Sequence, residues 1–241
     1  MPYGESVIVR ACDCDISGRL KPSAIMQAMQ NVAVAHCESV GLPREATDAM
    51  GIIWVLSRCH VEMNAVPINN DRISVETWAL PPRHLFYRRA HLFRNADGAP
   101  IGGAQAVWLR MDVETRKAVT SDGVAALLPF AEADAPARPP RPARLPDTEP
   151  KAIRFTPSYT DFDLNGHVNN TRYLDWCWNA LGFDALMDRE IAAFDVDYER
   201  EIKPNEPVDA ELYRQGEGFA YVARAGGARC FAASGELRRA E

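Results

Sequence analysis

Apolar residues recur along this chain with two different periods, and the two periods follow one another in the same order twice. Residues 6–12 alternate apolar and polar as a half-buried strand does. Ile25, Met29, Val32 and Ala33 then fall at helical spacing, and Pro22 suits a helix start, which together predict a helix near 22–38. Beyond Gly41, the runs 52–63, 72–80, 85–93 and 103–111 read as strands, with Asn69-Asn70-Asp71 and Asn95-Ala96-Asp97-Gly98 as turns. The second half predicts a strand at 153–159, a helix near 170–185, and strands at 191–200, 207–215, 219–225 and 228–237, with Gly226-Gly227 tightening the last hairpin. Each half is therefore one strand, one helix and four more strands, a repeat of pattern and not of identity.

The second helix carries Tyr173, Leu174, Cys177, Trp178 and Leu181 around much of its circumference, so it needs a sheet wrapped about it. The expected class is α+β, a curved antiparallel sheet around a central helix, made twice. A parallel nucleotide-binding sheet is disfavoured, because each half offers one substantial helix and neither GxGxxG nor a phosphate loop is present. Between the halves, prolines crowd residues 129–150, removing backbone donors and disfavouring both helix and central strand. This predicts a semi-rigid surface connector that adds no core strand, and domains at 1–130 and 151–241.

Charge and cysteine usage narrow the function classes. The 241 residues include 27 basic and 33 acidic side chains, a net charge of -6, which argues against nucleic acid or an anionic membrane as the partner of the whole molecule. Six cysteines show no paired CxxC spacing and read as reduced thiols. The opening residues lack a basic segment followed by an apolar run, and no stretch is long enough to span a bilayer, so a cytoplasmic location is the expectation.

The densest polar cluster is Thr160-Asp161-Phe162-Asp163-Leu164-Asn165-Gly166-His167-Val168-Asn169-Asn170, between a predicted strand and the second helix. Amides at a helix start stabilise anions, Gly166 permits unusual dihedrals, and Asn169 or Asn170 suits a cap. The same residue types also make an Asx turn with a helix cap and no chemistry. His167 has no second histidine or cysteine at zinc spacing, and Asp161 and Asp163 alone make no calcium or hard-metal site, so no metal is expected. GxSxG is absent. Cys177, mid-helix among aromatics, reads as a small buried hydrophobe and not a nucleophile.

At this cluster the chain resembles the hotdog-fold thioesterases, in which an aspartate followed by glycine-histidine-valine-asparagine-asparagine leads into the central helix. Over roughly residues 27 to 203 it is similar to the acyl-acyl-carrier-protein thioesterases, which fuse two hotdog units. NVAVAHCESVGL, GIIWVLSRCHVEM, DRISVETWA and AVWLRMDVETRK carry the likeness in the first half, and DFDLNGHVNNTRYLDW and DYEREIKP in the second. The resemblance implies a tandem hotdog fold and hydrolysis of the thioester of fatty acyl-acyl carrier protein, without a cofactor. It implies catalytic roles for Asp163, Asn165, His167 and Glu201, and a non-catalytic first half that shapes the acyl pocket, since Asp15 to Leu20 stands where the second half has Asp163 to Val168. Ile202 stands where plant relatives often have a cysteine, so water activated by carboxylates and amides is favoured over a covalent thioester. Glu201 is the preferred base, with Asp163 and Glu201 expected to converge on one water and amides after His167 to hold the oxyanion, although which carboxylate takes the proton stays open. Met26, Met29, Trp54, Val55 and Leu56 are candidate pocket residues, and Arg83, Arg88 and Arg89 a candidate surface for the acidic carrier protein with its phosphopantetheine. The alternatives are an acyl-CoA thioesterase or a non-enzymatic acyl-binding protein; monomer and homodimer both remain open.

Overall fold

The computed structural model describes residues 2–119, 128–131 and 133–240. Its strands are β1 (Tyr3–Ile8), β2 (Ile52–Met63), β3 (Arg72–Arg83), β4 (Phe86–Arg94), β5 (Pro100–Asp112), β6 (Lys151–Phe155), β7 (Arg189–Tyr198), β8 (Val208–Gln215), β9 (Gly218–Ala225) and β10 (Ala228–Arg239). They form one ten-stranded antiparallel sheet in the order β1-β3-β4-β5-β2-β7-β10-β9-β8-β6. Counted from the far edge, β6 to β10 occupy the places of β1 to β5, so the two halves share one topology and meet edge to edge at β2 and β7. The expected α+β class and the repeated element order both hold.

Two helices fill the concave side. In α1 (Pro22–Ser39), Ile25, Met26, Met29 and Val32 are buried at three- and four-residue intervals, and in α3 (Arg172–Leu181) Tyr173, Leu174, Cys177 and Ala180 are. The helices touch each other, and their buried faces share one core with Val61, Phe93, Phe194 and Phe231. Strand alternation sets the opposite face: Cys59 and Val61 point to the core, so His60 and Glu62 point outward, as do Asp195 and Asp197 on β7.

Several boundaries differ from the sequence expectation, for local reasons, one of which recurs in both halves. The strands expected at 6–12 and 153–159 end early, at Ile8 and Phe155, and 3-10 turns follow at Ala11–Asp13 and Tyr159–Asp161. In each turn an aspartate reaches back to a backbone amide, Asp13 to Arg10 and Asp161 to Ser158, which draws the chain out of the sheet. The strand expected to reach 200 ends at Tyr198, where the amides of Glu199 and Arg200 both turn to the carbonyl of Cys230. The helix expected over 170–185 starts at Arg172 and breaks at Gly182, whose φ of 76° lies in the left-handed region, before the short α4 (Phe183–Leu186). Helix α2 (Arg44–Ala49) went unpredicted, since six residues are too few to show a period.

Among its described residues the proline-rich connector adds no strand, as expected, but it is strapped to the outer face of the sheet. Ala137 accepts from Gln105 on β5, the guanidinium of Arg138 grips both oxygens of Asp195, and the amides of Arg141 and Ala143 donate to Asp195 and Asp197. Gly103 makes room for this: a Cβ there would sit 2.9 Å from Pro136. A single parallel bridge joins Phe130 to Ala79.

Candidate active site

The Asp163 loop is a rigid piece of backbone before it is a chemical site. One oxygen of Asp163 accepts from the amide of Asn165 at 2.8 Å, the other from Asn169 Nδ2 at 3.1 Å, and the carbonyl of Asp163 accepts from the amide of Gly166, whose φ is 75°. Asn169 then turns the chain into α3, accepting from both the amide and the hydroxyl of Thr171. The hydroxyl of Tyr198 donates to the carbonyl of Asn170, and the amide of Val168 donates to the carbonyl of Ile202. These last two contacts dock the loop against the end of β7 and so bring Glu201 to it.

The first half builds the same loop. Asp15 accepts from the amides of Ser17 and Arg19, its carbonyl accepts from Gly18 with a φ of 78°, and Cys14 pairs with Leu20 as Phe162 pairs with Val168. Backbone geometry therefore does not make one copy a chemical site; the side chains on it differ. Ser17 and Arg19 stand where the second half has Asn165 and His167, and Arg19 reaches the carbonyl of Arg189 and the carboxylate of Glu190.

Of the four residues singled out in the sequence, His167 and Glu201 come together directly. His167 Nδ1 lies 3.2 Å from the carbonyl of Val168, which turns Nε2 toward Glu201 Oε1 at 3.8 Å. That separation is too long for a direct hydrogen bond. Asn165 instead accepts from Arg44 on α2 at 3.0 Å. Asp163 and Glu201 share no hydrogen-bond partner among the described residues, because the Asp163 carboxylate is turned into its own loop. The amides of Val168, Asn169, Thr171 and Arg172 are taken by internal acceptors and are not free to meet an oxyanion. Glu201 lies in the loop beyond β7, not at a strand end.

Two residues of the first half complete the site and were not picked out in the sequence. Arg116, from the turn after β5, pairs with Glu201, and Arg44 holds Asn165. Their partners lie 85 and 121 residues away, a separation that no local pattern encodes. Cys177 is fully buried and burial pushes its thiol up, the opposite of what a nucleophile needs. Among the described residues no group of three or more His, Cys, Asp or Glu side chains is placed to hold a metal ion.

Asn165 also lies at a cavity of about 280 Å³ that runs into the first half, walled by Ala33, Leu42, Trp54, Tyr87 and Trp108. Of the expected lining residues only Trp54 is there. Met26, Met29 and Leu56 sit in the main core, and Val55 does not reach the cavity. The basic run is divided: Arg89 is buried in the cavity wall and Arg88 donates to the carbonyl of Pro81, which leaves Arg83 as the exposed member of the run.

The chain matches the N-terminal domain of the acyl-ACP thioesterases over residues 2–126 and their C-terminal domain over residues 145–236. It belongs to the acyl-ACP thioesterase family. Oleoyl-acyl carrier protein thioesterase 2 of Arabidopsis thaliana, a chloroplast protein, is 28% identical over 233 residues, covering 86% of this chain and 62% of the plant protein. The palmitoyl-acyl carrier protein thioesterase of Gossypium hirsutum is 26% identical over 83% of this chain and 52% of its own length. This acyl-ACP thioesterase family member thus spans between about half and 62% of the length of these two plant relatives. Its fold is that of an acyl-ACP thioesterase from Bacteroides thetaiotaomicron, with a TM-score of 0.91 at 22% identity and 98% coverage of both chains. The 12:0-ACP thioesterase of Umbellularia californica gives 0.88 at 22% identity, covering 99% of this chain and 98% of that one. The tandem hotdog fold is therefore the architecture of this family member. No helix among the described residues is long and apolar enough to cross a membrane.

Proposed function

We propose that this chain hydrolyses the thioester of fatty acyl-acyl carrier protein, releasing a free fatty acid. The observation that carries the reading is the apolar cavity of the first half meeting, at Asn165, the loop that holds His167 beside Glu201. A saturated chain in that cavity gains roughly 0.8 kcal/mol per buried methylene, which holds the thioester at the mouth. A water that sits beside the His167–Glu201 pair, within reach of both, attacks the carbonyl carbon while Glu201 takes its proton. The side-chain Nδ2 of Asn165 and the Arg44 guanidinium meet the developing oxyanion. Collapse breaks the carbon–sulfur bond, and the phosphopantetheine sulfur leaves with the proton that Glu201 returns. In this reading Asp163 positions Asn165 and His167 and does not itself take a proton.

We assign residues 1–130 to a pocket-shaping domain that lends Arg44 and Arg116 to the site, and residues 151–241 to the domain carrying Asp163, Asn165, His167 and Glu201. The partner is the acyl carrier protein with its phosphopantetheine-linked chain, and the six unpaired cysteines suit a cytoplasmic setting. Hydrolysis of one acyl group presented on carrier protein and on coenzyme A tests the reading. Faster release from carrier protein is expected. Faster release from coenzyme A would replace the substrate class, and binding of both without release would leave an acyl-binding protein.

A further inference from the structure

Arg89 takes no part in the hydrolysis described above. On β4 it alternates with Tyr87, His91 and Phe93, and Phe93 belongs to the core, so the register puts a guanidinium where an apolar residue is called for. It is 6% exposed and forms part of the cavity wall. Its contacts are all with uncharged groups: Nη1 donates to His36 Nδ1 at 2.9 Å and to Thr77 Oγ1 at 3.3 Å, and Nη2 donates to Cys37 Sγ at 3.4 Å. His36 stays neutral there, pushed down to about 4 by burial and by the neighbouring guanidinium. No carboxylate among the described residues pairs with Arg89. The acids on the cavity, Glu38 and Asp48, are exposed to solvent, and Asp48 lies 3.5 Å from Arg44. Of the three arginines that line this largely apolar cavity, Arg44 pairs with Asp48 and Arg88 with the carbonyl of Pro81, both on exposed contacts, so Arg89 is the buried one, with N–H donors beyond the three that its contacts use.

A buried guanidinium held only by uncharged groups is costly, and a plain hydrocarbon chain gives it nothing. We propose that Arg89 selects acyl chains bearing an oxygen, a hydroxyl or a carboxylate, that accepts from the guanidinium inside the cavity. The inference deepens the thioesterase reading, and rests on it only for how the chain enters.

Pantetheine amides, in which N–H replaces the thioester sulfur, separate binding from turnover. Calorimetry would compare dodecanoyl, β-hydroxydodecanoyl, ω-hydroxydodecanoyl and ω-carboxydodecanoyl amides on the full chain. At least one oxygenated amide is expected to bind the parent about tenfold more tightly than dodecanoyl, and the position and charge of the preferred oxygen report where Arg89 meets the chain. The volume-conserving Arg89→Met is expected to abolish that preference and to tighten dodecanoyl binding. Parent protein that binds all four alike overturns the proposal whether or not any variant folds. A preference that survives in Arg89→Met overturns it as well. Because no probe is hydrolysed, a chain inactive toward every thioester still tests Arg89, and an active one without this preference sinks Arg89 alone.

Discussion

At the scale of single residues the site divides into groups that do chemistry and groups that hold them. Glu201 Oε1 faces His167 and is also the oxygen that pairs with Arg116, so Glu201→Gln removes the proton acceptor and the ion pair while keeping the side chain's shape. Turnover is expected to fall about a hundredfold or more with acyl-amide binding little changed, measured by single-turnover hydrolysis beside calorimetry. Asp163 differs, because its carboxylate fixes the loop. Asp163→Ala should impair turnover comparably, whereas Asp163→Asn, which keeps an acceptor for the Asn165 amide, should recover much of it. A deficit as deep in Asp163→Asn as in Asp163→Ala would instead make the negative charge itself essential. Cys177 makes the opposite case. It is buried against the core and its thiol is pushed up, so Cys177→Ser is expected to lose about 1–3 kcal/mol of stability by thermal denaturation while the folded variant keeps its turnover. Trapping of an acyl group on Cys177 would count against this.

At the scale of elements, the connector behaves as a clasp and not as slack chain. Burial pushes the Asp195 carboxyl up, but contacts from His60, from Arg138 and from the amide of Arg141 more than offset it and hold the group at about 2. Its folded value lies below its unfolded one. The stabilisation is therefore complete above about pH 4 and is lost as pH falls toward 2, amounting to about 2 kcal/mol. Asp195→Asn should accordingly be less stable than the parent at neutral pH, with the difference narrowing between about pH 4 and pH 2 in chemical denaturation. An undiminished difference at the acid end would assign the loss to packing alone. Equivalent 3-10 turns and Asp loops in the two halves show the same elements serving different ends: the first copy anchors Arg19 to β7, the second presents His167 to Glu201.

At the scale of the whole molecule, the two halves are coupled because the site is composite. Arg116→Ala, on the half without the loop chemistry, should lower kcat by about tenfold or more through a misplaced Glu201, with KM less affected; steady-state kinetics on the full chain would show it. A change confined to KM would move Arg116 from positioning Glu201 to binding substrate. The sequence by itself determined the elements and their class. Period-2 and helical spacing are local properties, so ten strands, the two long helices and the turns at Asn70 and Gly98 were legible, as was the Asp163 to Asn170 cluster that marks the loop. Strand ends were less so, because Asp13, Asp161 and the carbonyl of Cys230 divert the chain by hydrogen bonds that hydrophobic pattern does not register. Tertiary structure alone decided which polar groups meet. Arg44 and Arg116 reach Asn165 and Glu201 across the junction of the halves, the Asp163 carboxylate is held within its own loop, and Arg89 lines the cavity among uncharged partners. Periodicity reports which face of an element is buried, whereas the partner of a charge is set by how the sheet and helices dock, and docking leaves no local trace in the chain.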